Sequence, residues 1–137
     1  MEANDKLAIH ELLSRAAYSF DERKLDVLEQ CFASDANMLV NIADGQTFGP
    51  FEGRDAIMQL MKGTLDSQTD VRRHIISNFI FEAEGDQNAT VLSSIVLIAT
   101  ENAKIDVITS GIYRDVVEKN NGNWQIKDRL LNLELGF

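Results

Sequence analysis

The chain has 137 residues, which suffices for one domain over 1–137 with one hydrophobic core and leaves no room for a second. Its content of 45% hydrophobic and 26% charged residues is typical of globular proteins and excludes intrinsic disorder as the default. With 13 basic and 22 acidic residues the net charge is −9, which repels nucleic-acid phosphates and anionic lipids, so we expect neither nucleic-acid nor membrane partners.

Helical periodicity recurs three times in the first half of the chain. Apolar residues spaced near 3.6 predict an amphipathic helix over 3–20. A second, shorter stripe runs from Leu25 to Phe32 and predicts a helix that ends near Ser34. The only proline, Pro50, precedes the segment GRDAI, where a third helix is predicted to begin.

The pattern then changes to that of strands. An apolar run over 36–43, followed by an Asp-Gly turn, predicts a strand and hairpin. Four long period-two runs follow, at 72–84, 88–101, 104–118 and 123–135. Their short, turn-rich separators favour sequential antiparallel hairpins. Helices followed by a meander predict an α+β fold, in which a curved antiparallel sheet and three helices enclose a cone-shaped apolar pocket.

Four motifs occur in an order that is typical of one family. They are YSFDERKLDVLEQCFASDA, GPFEGRDAI, RRHIISNFIFEAEGD and SGIYRDVVEKNNGNWQIKDR, and together they cover nearly the whole chain. This series resembles the SnoaL-like group of the nuclear transport factor 2-like superfamily. The resemblance implies a cone-shaped α+β barrel with a deep pocket, usually dimeric through the outer face of the sheet.

The resembled proteins differ in what they do. They include cofactor-independent dehydratases that act on scytalone or bile acids, lindane dehydrochlorinase and polyketide cyclases. They also include the non-catalytic β subunits of ring-hydroxylating dioxygenases. A shared fold therefore cannot choose a reaction, and the residues of the site must do so.

His74 and Asp21 are the first candidates for catalysis. Alternation along the strand places His74 on the face of Ile76 and Ile80, so we expect its imidazole to enter an apolar space and act as a base. In the resembled dehydratases and dehydrochlorinase, the matching Asp and His form a dyad, which here implies Asp21 as the partner that holds the tautomer. The alternative is a hydrogen-bonded core histidine and an ordinary loop aspartate.

Two further side chains are expected to face the same pocket. Tyr18 lies one helical turn before Asp21 and is a candidate donor to a carbonyl or leaving hydroxyl. Asn78 shares strand parity with His74 and is a candidate for orienting a substrate oxygen. Their alternatives are a core tyrosine with a solvated hydroxyl and a polar group satisfied within the sheet.

Arg129 stands at the position of the family's arginine, where it is a candidate ligand for a leaving anion or a carbonyl oxygen. Strict alternation places it opposite Trp124, so a β-bulge is needed if both side chains face inward. Tyr113 is interpreted as sheet packing. Many relatives have a second histidine directly after the first, whereas this chain has Ile75.

Several kinds of chemistry have no support in the sequence. His10 and His74 are the only histidines and lack metal-binding spacing, and the glycine-rich nucleotide motifs are absent, so we expect no metal and no cofactor. The single cysteine, Cys31, is predicted to be buried. No secretory leader opens the chain and its apolar runs are far shorter than the roughly 20 residues of a membrane helix, which predicts a cytoplasmic protein.

Two functions remain open. The first is a cofactor-independent lyase or isomerase, of the dehydratase or cyclase type, that removes a proton from a hydrophobic, cyclic small molecule. The second is a catalytically silent binding or assembly domain that resembles a dioxygenase β subunit. Strands with apolar residues on both faces, such as VLSSIVLIA, also predict a homodimer. The sequence does not identify the substrate.

Overall fold

The computed structural model describes residues Met1–Phe137 as three helices and six strands. In chain order they are α1 (Ala3–Asp21), α2 (Leu25–Gln30), β1 (Phe32–Ile42), β2 (Thr47–Glu52), α3 (Arg54–Ser67), β3 (Val71–Glu84), β4 (Asn88–Glu101), β5 (Lys104–Asn120) and β6 (Asn123–Leu133). The α+β class and the order of helices before long strands are confirmed. No helix is both long and apolar enough to cross a membrane.

The strands form one curved sheet in the order β2-β1-β6-β5-β4-β3. Strands β3 to β6 pair antiparallel in sequence order, as their turn-rich separators predict. The sheet is mixed, because β1 runs parallel to β6, with Met38 opposite Arg129, while every other pairing is antiparallel as expected. Hydrophobic alternation identifies a strand and its buried face, but it carries no signal for the direction of the neighbouring strand.

The second helix is shorter than its apolar stripe predicts. It ends at Gln30, and β1 begins at Phe32, where the sequence predicted helix. In the sheet Phe32 lies opposite Ile126 of β6, and both side chains are fully buried. Phe32 is therefore buried as part of a strand that pairs with β6, and not as part of a further helical turn. Contacts with the rest of the fold override a short helical pattern in the sequence.

The core lies between the inner face of the sheet and the helices, as one cluster of 23 buried residues. Helix α1 contributes most of its predicted stripe, although Leu7 is exposed and Ile9 is buried instead, and α3 adds residues at the same spacing. These helical members are Ile9, Leu12, Leu13, Ala16, Ile57 and Met61. Strand β4 alternates buried and more exposed positions, so one of its faces meets the helices and the other does not.

Gly111 on the inner face of β5 permits a close approach by β6. A Cβ atom added at Gly111 would lie 2.1 Å from the carbonyl oxygen of Asn132, a separation that no side chain tolerates. Helix α3 contains Gly63, where an added Cβ would have nothing within 4 Å. The two glycines therefore respond oppositely to the same substitution.

Gly111→Ala is expected to lower the free energy of unfolding by about 1–3 kcal/mol, because β5 and β6 must move apart. Gly63→Ala is the matched control and is expected to raise it by about 0.5–1 kcal/mol, since alanine favours the helix. Urea unfolding of both variants measures these changes. A Gly111→Ala variant as stable as the parent would contradict the close approach of the two strands.

Candidate functional site

A largely apolar cavity of about 70 Å³ lies between the helices and the inner face of the sheet. Thirteen of the 19 residues that line it are hydrophobic. The lining residues that carry polar groups are Thr64, Gln68, Arg72, His74, Thr109, Tyr113 and Arg129. Phe137, Gln68 and Arg72 also line a depression on the outer surface, so they mark the mouth of the cavity.

His74 and Asp21 are in direct contact at one wall of this cavity. The Asp21 Oδ1 atom lies 2.5 Å from His74 Nδ1, and Asp21 Oδ2 accepts a hydrogen bond of 2.8 Å from the backbone N–H of His74. Both side chains are mostly buried, with 5% of Asp21 and 13% of His74 exposed. The Phe20 ring packs on the imidazole with the two centroids 5.1 Å apart.

These contacts define the protonation of the imidazole. An ionised carboxylate only accepts hydrogen bonds, so the neutral ring of His74 carries its proton on Nδ1, toward Asp21. The other nitrogen, Nε2, has no hydrogen-bond partner within the protein. In this tautomer Nε2 presents a lone pair, which is the state that a general base requires.

Asp21 occupies an unfavourable place for a negative charge. It is the last residue of α1, where the helix dipole disfavours an anion. No basic residue lies in this last turn to offset the repulsion. The two hydrogen bonds from His74 therefore provide the direct compensation for the Asp21 charge at this position.

Tyr18 does not reach the cavity, so the prediction for this residue is wrong. Its side chain is 58% exposed, and the Lys24 ammonium group lies 5.6 Å from the centre of its ring. Residues three apart on a helix point about 60° apart, and this angle turns Tyr18 away from the sheet. Ala17 and Phe20 line the cavity from α1 instead.

Asn78 is also misplaced by the sequence prediction. Its backbone φ is +58°, and the pairing of β3 with β4 shifts between Ser77 and Ile80. The extra residue of this bulge reverses the alternation that was counted from His74. Asn78 is consequently exposed, and Phe79 packs against the core.

Arg129 faces the cavity because β6 contains a β-bulge between Trp124 and Arg129, as the sequence predicted for the case in which both side chains face inward. Val117 pairs with Ile126, whereas Val116 pairs with Asp128, so one additional residue of β6 lies between these pairs. This shift lets both Trp124 and Arg129 point inward, and each is only 7% exposed. Inward-facing residues of β6 therefore have even numbers before the bulge and odd numbers after it.

The guanidinium group of Arg129 is held by Asp115 on the neighbouring strand. Its Nε and Nη2 atoms donate to the two carboxylate oxygens of Asp115 at 2.8 and 3.1 Å. Burial alone favours loss of the Arg129 proton, but the Asp115 carboxylate raises the pKa of Arg129 above its ordinary value. Asp115 is fully buried, so the site contains a neutralised pair and not a free positive charge.

Tyr113 lines the cavity, although the sequence predicted only a packing role for it within the sheet. Its ring lies under the Arg129 guanidinium, whose central carbon is 4.1 Å from the ring centre. Burial raises the pKa of the Tyr113 hydroxyl, which keeps it protonated. Same-face alternation of Tyr113 and Asp115, with an arginine on the next strand, was the available signal for this cluster.

No group of three or more His, Cys, Asp or Glu side chains in the structure could hold a metal ion. Cys31 is a buried free thiol, and burial raises its pKa. His10 lies outside the cavity and stacks on Phe79, with 4.3 Å between the ring centroids. The chemistry available to the cavity therefore rests on His74, Asp21, Tyr113 and Arg129.

The chain belongs to the SnoaL-like domain family, whose sequence model matches residues 1–130. Among solved structures it is similar to a protein of unknown function with a cystatin-like fold from Nostoc punctiforme, with a TM-score of 0.82, 26% identity, and coverage of 100% of this chain and 96% of that one. A comparison with curated proteins finds no match.

Two structures from Novosphingobium aromaticivorans share the fold. One is a proposed scytalone dehydratase, with a TM-score of 0.77, 24% identity, and coverage of 96% of this chain and 85% of that one. The other is the β subunit of a proposed aromatic-ring-hydroxylating dioxygenase, with a TM-score of 0.82, 14% identity, and coverage of 95% and 89%. At these identities the likeness is one of fold.

Proposed function

We propose that the protein is a cofactor-independent lyase or isomerase, of the dehydratase or cyclase type, acting on a hydrophobic small molecule. The observation that carries this proposal is the contact between Asp21 and His74 Nδ1, which leaves Nε2 without a partner at the wall of an apolar cavity. Membership of the SnoaL-like family is consistent with it. A cytoplasmic location is proposed with it, because the single cysteine is a buried thiol.

The proposed reaction begins with transfer of a proton from a substrate carbon to His74 Nε2. The imidazolium that forms is stabilised by Asp21, whose carboxylate is already 2.5 Å from Nδ1 and needs no rearrangement. The apolar walls exclude water, which strengthens this electrostatic interaction. Return of the proton to another carbon, or to a departing group, completes an isomerisation or an elimination.

The size of the cavity favours the second candidate, a silent binding or assembly domain. Its 70 Å³ is about half of the roughly 150 Å³ in which an apolar cavity accommodates benzene. A ring substrate therefore requires the mouth to widen. Phe137 is half exposed at that mouth, with its ring 6.0 Å from the ring of Phe48, and its movement would enlarge the opening.

Deuterium exchange at acidic C–H groups separates the two candidates. A panel of small cyclic ketones in D₂O, followed by NMR, is expected to show exchange catalysed by the wild-type protein. Asp21→Asn is expected to slow exchange by about 10²- to 10⁴-fold, because the amide can hold the wrong tautomer of His74. His74→Gln is expected to abolish it.

His10→Gln is the matched control, since His10 lies outside the cavity, and it is expected to exchange at the wild-type rate. Thermal melts establish that each variant folds. Exchange that survives His74→Gln would contradict His74 as the base. Ring compounds that bind to the wild-type protein without any exchange would contradict the enzyme and favour the silent domain.

We also propose that the protein is a homodimer formed through the outer face of the sheet. Exposed apolar side chains cluster on three adjacent strands, β3 to β5. They are Val71, Ile75, Ile80, Val96, Ile105, Val107 and Ile112. Ile75 and Val96 are direct cross-strand partners, so the patch is continuous there. A contiguous exposed apolar patch of this kind favours a protein partner.

Replacing Val96 and Ile112 together with glutamate is expected to produce monomers, because paired charges cannot be buried in a symmetric apolar interface. Leu7→Glu is the control, since Leu7 is an exposed apolar residue of α1. Light scattering during size-exclusion chromatography should give twice the chain mass for wild type and for Leu7→Glu. A monomeric wild-type protein at micromolar concentration would refute the dimer.

A further inference from the structure

The cavity contains a base, but two of the three donors expected from the sequence lie elsewhere. Tyr18 and Asn78 are exposed, which leaves the floor of the cavity as the source of hydrogen bonds to a substrate oxygen. Proton removal from carbon is slow unless the developing negative charge is stabilised by donors aimed at it. Gln68 and Arg72 lie at the mouth of the cavity, and the Thr64 hydroxyl donates to the Leu60 carbonyl oxygen. The buried polar groups of β5 and β6 are the candidates away from the mouth.

The hydroxyl group of Tyr113 is an unused donor in this position. Tyr113 is 6% exposed and lines the cavity, yet its hydroxyl makes no hydrogen bond within the protein. Ser93 Oγ is the only side-chain nitrogen or oxygen atom that is both fully buried and without a hydrogen-bond partner. The Tyr113 hydroxyl also has no partner, so it is not fully buried and part of its surface is accessible. The Tyr113 hydroxyl therefore opens into the cavity, on the wall of which His74 also lies.

Arg129 supplies a second donor to the cavity, with its guanidinium carbon 4.1 Å from the centre of the Tyr113 ring. Asp115 occupies its Nε and Nη2 atoms, whereas Nη1 has no protein partner. The charge of the guanidinium group is balanced by the fully buried Asp115 carboxylate. This floor therefore offers hydrogen bonds without net positive charge, an arrangement that suits a neutral carbonyl oxygen better than a carboxylate.

We propose that Tyr113 Oη and Arg129 Nη1 together bind the carbonyl oxygen of a neutral ketone or enone, and that Tyr113 is a catalytic residue which donates to this oxygen as it becomes an enolate. The inference rests on the proposed function, whose base it complements. It specifies the substrate class as neutral carbonyl compounds with an acidic hydrogen next to the carbonyl group.

The reaction balances without any co-reactant. His74 Nε2 takes the proton from the carbon next to the carbonyl group, the C–H electron pair forms a C=C bond, and the C=O π pair moves to the oxygen held by Tyr113. As the carbonyl re-forms, the imidazolium gives its proton to a departing β-hydroxyl group, which yields water and an enone. In an isomerisation the substrate is a β,γ-unsaturated ketone, whose enolate is a dienolate. The imidazolium then returns the proton to the γ carbon, and the double bond moves to the α,β position as the carbonyl re-forms.

Binding of a matched pair of ligands tests the donor directly. Cyclopentanone and methylenecyclopentane have the same shape, but only the ketone accepts a hydrogen bond. Wild type is expected to bind the ketone about 2- to 12-fold more tightly, as measured by ligand-observed NMR titration. Tyr113→Phe is expected to remove most of this preference, whereas Tyr18→Phe, which changes an exposed tyrosine, should leave it intact.

Tyr113→Phe should fold normally, because the hydroxyl that it removes has no partner in the protein. The proposal is overturned if this variant keeps the full preference for the ketone. It is also overturned if wild type shows no preference, including no detectable binding of either ligand, or if cyclopentanecarboxylate binds more tightly than cyclopentanone.

Catalysis distinguishes this inference from the proposed function. At the α-carbon of cyclopentanone, Tyr113→Phe is expected to lower kcat for deuterium exchange by about 10²- to 10³-fold with a smaller change in KM. Exchange that depends on His74 but is unchanged in Tyr113→Phe refutes the inference and leaves the proposed function standing. A Tyr113-dependent preference for the ketone without any exchange refutes the proposed function and retains the binding site.

Discussion

The contact between Asp21 and His74 joins the helical layer to the sheet and determines the chemistry of the cavity. Asp21 ends helix α1, where a carboxylate is disfavoured, and it is almost fully buried. Both of its oxygens are engaged by one residue of β3, through the imidazole and the backbone N–H. One interaction thus fixes the position of the helix end, the orientation of the ring and the nitrogen that is left without a partner in the protein.

A second polar pair complements the first. The buried Asp115 and Arg129 side chains lose hydration, a cost that bidentate hydrogen bonding offsets only in part. Their arrangement depends on the bulge in β6, which brings Arg129 onto the inner face beside Tyr113. The result is a largely apolar cavity whose lining includes His74, Tyr113 and an Arg129 side chain whose charge is balanced by Asp115.

The periodicity of apolar residues predicted the structural features that follow a regular repeat. It failed at positions where a bulge or the angle between helical residues changes the direction of a side chain. The stripe of α1, the long strands and the inward face of His74 follow from spacing alone. Asn78 was misplaced because a bulge between it and its neighbours reverses parity, and Tyr18 because a separation of three residues still turns a side chain about 60°. The unpartnered hydroxyl of Tyr113 was not predicted, because alternation predicts burial but not whether a buried hydroxyl finds a partner.

The tautomer of His74 decides whether the imidazole can act as a base, and ¹⁵N NMR of the ring measures it. At a pH where the ring is neutral, we expect a proton on Nδ1 and an unprotonated Nε2. In Asp21→Asn the proton should move to Nε2, since the amide then donates to Nδ1. A wild-type ring with its proton on Nε2 would contradict the central claim, because that nitrogen could not remove a proton from any substrate.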